Sequence, residues 1–126
     1  VTDSALRNAA LAARDRAYAP YSQFAVGAAL LCDDGTVVSA ANVENASYGL
    51  SMCAERAAIF AAVAAGRTRF AALAVAGPEG AGAAPCGACR QVLAEFGTGV
   101  RVLYATAHGE AETTLAALLP DAFSLR

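Results

Sequence analysis

Three cysteines and one glutamate hold most of the chemistry available to this sequence. Cys86 and Cys89 are three residues apart, so in the first turn of a helix both thiols reach one metal ion. Cys53 supplies a third thiol and Glu55, two residues on, a carboxylate that need not be a ligand. Three thiolates leave one position of a tetrahedral zinc open, and an open position separates a catalytic site from a closed structural one. Thiolates also make the centre anionic, which weakens the ability of zinc to acidify water. Arg56, three residues after Cys53, is placed to compensate, and Arg90, next to Cys89, is a second candidate.

Two other readings use fewer of these residues. A dithiol redox pair at Cys86 and Cys89 leaves Cys53 and Glu55 without a role. A closed zinc site needs a fourth ligand, and His108, the only histidine, lies in a His-Gly turn. Cys32, the fourth cysteine, ends a strand-like run and reads as a buried small hydrophobe.

The elements that must bring the thiols together follow from periodicity. Residues 4–18 read as a helix, with Leu6, Ala10, Ala13 and Ala17 on one face and Pro20 as its stop. Residues 24–32 and 36–41 read as strands joined by the turn Asp33-Asp34-Gly35. Residues 42–51 are polar and irregular. A second helix is predicted over 52–65, uncharged from Ala57 to Ala65 and therefore expected to be buried all round. Residues 70–76 make a third strand, followed by a Gly/Ala/Pro loop through Ala84, and 86–96 a third helix. Residues 100–105 make a fourth strand, a weaker fifth follows His108-Gly109, and 113–119 form a short last helix stopped by Pro120. Strands alternating with helices after an opening hairpin predict one α/β domain over residues 1–126. It is expected to be a three-layer α/β/α sandwich around a mixed sheet of about five strands. Both metal-binding segments fall at helix starts, where free N–H groups and the helix dipole favour thiolate over thiol.

Composition narrows the setting. Of 126 residues, 35 are alanine, so the 57% hydrophobic fraction overstates the core. Charged residues make up only 16%, too few to cover the whole surface, and an oligomer interface is expected. Nine arginines, no lysine and eleven acids give a net charge of −2 with no basic stripe, which argues against a nucleic-acid partner. The opening Thr2-Asp3-Ser4 is polar and does not read as a signal peptide, and no apolar run is long enough for a membrane span. A metal-type cysteine pattern fits a reducing compartment, so a cytoplasmic location is expected.

Five segments in order resemble one family from end to end. They are residues 19–30 (APYSQFAVGAAL), 42–48 (NVENASY), 53–56 (CAER), 85–91 (PCGACRQ) and Leu118-Leu119-Pro120 with Phe123. The chain resembles the small homotetrameric zinc-dependent cytidine deaminases. That resemblance implies hydrolytic deamination of cytidine and deoxycytidine, with one zinc per chain held by Cys53, Cys86 and Cys89 and water as fourth ligand. Glu55 would be the proton shuttle of the base-deaminase pattern. It further implies that Asn42 and Glu44 hydrogen-bond the sugar hydroxyls, that Ala46 and Tyr48 complete the sugar pocket, partly from a neighbouring subunit, and that Ala54 binds substrate. Phe24 and Phe123 would flank the nucleoside, Phe123 from another subunit of a homotetramer with composite sites. A deaminase of another cytosine-bearing compound and a non-catalytic zinc module remain open at this point; the latter would have no use for Glu55.

Overall fold

The computed structural model describes residues 1–126. Its sheet has five strands in the order β2-β1-β3-β4-β5: β1 Gly27–Cys32, β2 Val37–Ala41, β3 Phe70–Ala76, β4 Arg101–Thr106 and β5 Gly109–Thr114. Only β3 and β4 run parallel; the other neighbours are antiparallel. The parallel pair needs a long crossover, and helix α3 (Gly87–Ala94) supplies it. Helices α1 (Asp3–Arg14), α2 (Ala54–Ala64) and α4 (Leu115–Leu118) complete the set.

Alternation along the central strands divides the core into two layers. Ala29, Ala72, Ala74, Ala76 and Leu103 pack with Leu6 and Ala10 of α1. Ala28, Leu30, Leu73, Val75 and Val102 pack on the other face with Ala58, Ile59 and Ala62 of α2 and Leu93 of α3. The sheet is therefore sandwiched as expected. Small residues under α1 let it lie almost on the backbone of β1. A Cβ on Gly27 would fall 2.0 Å from the Ala10 carbonyl oxygen and 2.4 Å from the Arg14 nitrogen.

Four features differ from the sequence expectation, three of them element boundaries, each for a physical reason. The helix expected over 4–18 stops at Arg14 because the chain is taken into pairing further on. Tyr18 N–H donates to Asn42 O at 2.9 Å, and Glu44 N–H donates to Tyr18 O at 2.8 Å. The strand expected from residue 24 begins at Gly27, because the Asn42 side chain takes the place of a ladder. Its Oδ1 accepts from Val26 N–H and its Nδ2 donates to Phe24 O, both at 2.9 Å. The last helix shrinks to Leu115–Leu118, since Thr113 and Thr114 stay in β5 and the Thr114 hydroxyl accepts from Ala117 N–H as a cap.

The fourth correction concerns α2, which is not buried all round. Its inner face is sealed against the sheet, but Phe60 and Val63 are 46% and 37% exposed within the chain. The absence of charge reflects an apolar outer face, not enclosure by this chain's own sheet.

Candidate functional site

Helices α2 and α3 share one face of the sheet, and each begins immediately after a cysteine: Cys53 is the N-cap of α2 and Cys86 that of α3. Neither side chain caps its own helix. Cys89 sits one turn into α3 and is buried. The three sulfurs converge to within 4.8 Å of one another, with Cys86 and Cys89 at 3.4 Å and Cys53 and Cys86 at 3.9 Å. Zn–S bonds of about 2.3 Å at tetrahedral angles place sulfurs roughly 3.8 Å apart. The donor set and its spacing therefore fit one zinc ion per chain, with no fourth protein ligand in the cluster. His108 is exposed in the β4–β5 turn, and Cys32 is buried in the core.

Charge at the cluster is compensated from one side. Arg56 Nη2 donates to Cys53 Sγ at 3.3 Å, while its buried Nε has no partner. The Cys53 thiol is held down at about 5, first by the adjacent Cys89 thiol and then, against desolvation, by Arg56 and Cys86. Cys89 is pushed up, chiefly by that same sulfur pair and by burial. Without a cation, three adjacent sulfurs cannot all ionise, and the favoured thiolate is the one that faces arginine. Arg90 is not part of this balance. Its Nε donates to Pro85 O at 2.8 Å and its Nη1 to Leu118 O at 2.9 Å, tying α3 to the last helix.

Glu55 is the one charged residue buried in the chain, 5% exposed. Burial raises its carboxyl above the ordinary carboxylate range; its own backbone N–H opposes this, and the neighbouring Cys53 thiolate adds to it. A carboxyl whose charged form is penalised in this way holds its proton more readily than a solvated one, as a proton acceptor in catalysis requires.

A cavity of about 430 Å³ opens above these groups, within the range of small-molecule sites. Phe24, Asn42, Glu44, Cys53, Ala54, Glu55 and Cys86 all line it. Ala46, Tyr48 and Phe123 do not line it, and Tyr48 and Phe123 are 76% and 71% exposed. Sequence reasoning assigned no role to Ser22, Val26, Met52 or Val75, which also form the wall. For Ser22 a signal was present, two residues before Phe24 in the first matching segment. Val26 and Val75 read only as strand residues. Asn42 and Glu44 are more than wall residues: both already hydrogen-bond segment 21–26.

Comparison with known proteins agrees with this geometry. Residues 1–106 match the family model of the cytidine and deoxycytidylate deaminase zinc-binding region. The cytidine deaminase of Sporosarcina psychrophila is 53% identical over 114 residues, covering 89% of this chain and 84% of that protein. The cytidine deaminase of Mycobacterium tuberculosis is 51% identical over 120 residues, covering 95% and 88%. Among solved structures, the cytidine deaminase of Burkholderia pseudomallei superposes with a TM-score of 0.92 at 53% identity, covering 98% of this chain and all (100%) of that one. The Mycobacterium tuberculosis structure gives 0.87 at 46% identity, covering 99% and 100%.

Because Arg56 is the only cation in contact with the sulfurs, its removal should weaken the metal and not the fold. Arg56→Gln is expected to lower zinc affinity about 10–100-fold, the usual effect of removing a group that supports a ligand. Competition with a chromogenic chelator measures this, and parental affinity would show that the thiolates need no arginine.

Proposed function

The chain belongs to the cytidine and deoxycytidylate deaminase family, and from that premise we propose that it hydrolyses cytidine and deoxycytidine to uridine and deoxyuridine, releasing ammonia. The observation that carries this reading is the placement of a buried carboxyl, Glu55, beside a three-sulfur zinc site at the floor of a nucleoside-sized cavity. Zinc bound by Cys53, Cys86 and Cys89 supplies Lewis acidity and a water of lowered pKa.

The chain's own residues do the rest. Asn42 and Glu44 on one wall hold the sugar, and Phe24 lies along the pyrimidine. Together they present C4 of the ring to the cluster and turn a bimolecular hydrolysis into a positioned one. Glu55 takes a proton from the attacking water and delivers it to N3. With the water oxygen now bonded to C4, Glu55 moves the remaining proton of that oxygen to the amino group, so that the C4–N bond breaks, ammonia departs and the C4 carbonyl forms. Its raised carboxyl suits this traffic, since burial favours the protonated form between the two transfers. A non-catalytic zinc module has no use for a buried carboxyl at that position, whose charged form burial penalises.

We further propose that the active form is a cytoplasmic homotetramer whose sites are composite. Support comes from the uncharged outer face of α2, and from Tyr48 and Phe123, which stand away from this chain's own cavity. All four cysteines are unbridged, as a reducing compartment allows, and no helix is long and apolar enough to cross a membrane.

Two measurements test these statements. Glu55→Gln should keep its zinc and its fold while losing about 10²–10⁴ in turnover of cytidine, followed by the loss of its absorbance. Loss of zinc in that variant would make Glu55 a structural residue. Sedimentation should return four chains per particle, and a fully active monomer at high dilution would remove the composite site.

A further inference from the structure

Loop 19–24 is folded around the carboxylate of Glu44. Tyr21 N–H and Ser22 N–H donate to Glu44 Oε1 at 2.9 and 3.1 Å, and the Ser22 hydroxyl donates to Oε2. The same hydroxyl oxygen accepts from Phe24 N–H at 2.9 Å. Gln23 adopts a left-handed conformation, φ 57°, and its N–H closes the turn on Ala19 O at 3.0 Å. One side chain, Ser22, therefore joins the wall residue expected to face the sugar to the one expected to face the base. Its hydroxyl holds the Glu44 carboxyl below the usual range, with the two loop N–H groups adding to the effect. Glu44 is thus an ionised acceptor.

A carboxylate offers about four acceptor positions, and the loop fills three of them. The position that remains is directed by where the other three are anchored. Resting on the deaminase reading above, we propose that Ser22 is a positioning residue for sugar recognition: its hydroxyl orients the Glu44 carboxylate so that the free lone pair meets a ribose hydroxyl. Ser22 itself touches no reacting atom in this account.

The role predicts a selective loss. A turn that merely stabilises the chain would affect all substrates alike, whereas an orienting hydroxyl matters only when the substrate has a hydroxyl to be oriented. The test compares cytidine with 2′,3′-dideoxycytidine, which keeps the base and the 5′ group but lacks the hydroxyls that Glu44 would accept from. Ser22→Ala should lower kcat/KM for cytidine about tenfold, the worth of one hydrogen bond to a charged group, with the loss in KM. For the dideoxy substrate the change should stay within about twofold, and Ser22→Thr should restore cytidine. In a Glu44→Ala background, Ser22→Ala should have no further effect on either substrate. Equal losses for both substrates, no loss at all, or a loss that persists without Glu44 would each overturn the role of Ser22 while leaving the deaminase reading standing. A parent protein that does not turn over cytidine would defeat both.

Discussion

Three sulfurs held within 4.8 Å of one another, two of them at helix starts, are the constraint to which the surrounding structure answers. Adjacent thiolates repel, and burial makes the repulsion worse. Several features offset it. Two helix N-termini face the cluster with uncapped N–H groups, Arg56 donates to Cys53, and the spacing matches what one divalent cation demands. Glu55 lies outside the cluster, so its negative charge is penalised and its carboxyl is raised. Sulfurs, arginine and buried carboxyl are in this way one electrostatic unit.

The sheet exists in its observed form to keep those helix starts together. Val75 near the end of β3 lines the cavity, and the loop that follows leads to Cys86. On the opposite face, alanines and Gly27 allow α1 to lie close to the strands, which gives a small chain a tightly packed second layer. The high alanine content is thus a packing solution as much as a compositional habit. The polar segment before α2 has the complementary task. Asn42 and Glu44 hold segment 21–26 by side-chain hydrogen bonds, so a wall with little regular structure is nonetheless fixed.

Much of this was legible in the chain itself, because the strongest signals were local. Cys86 and Cys89 at helical spacing, Glu55 two residues after Cys53, and the apolar, strand-like runs of β1, β3 and β4 all depend on near neighbours. What was not legible depended on distant partners. Helix α1 ends early because Tyr18 pairs with residues that follow β2, and no pattern within residues 4–18 announces it. Strand β1 begins late because a side chain sixteen residues away replaces its ladder. The outer face of α2 was misread for a different reason: absence of charge marks an apolar surface, and periodicity cannot say what covers it. Asn42 and Glu44 illustrate the limit most clearly. Composition makes them turn residues, the family resemblance gives them the sugar, and the coordinates show them bracing the wall as well.

X-ray absorption at the zinc edge tests the central claim most directly, because it counts ligands and measures their distances in the protein as purified. The account predicts one zinc per chain with three sulfur scatterers at about 2.3 Å and one oxygen or nitrogen scatterer at about 2.0 Å. Four sulfurs, a histidine shell that implicates His108, or zinc held without sulfur would contradict it.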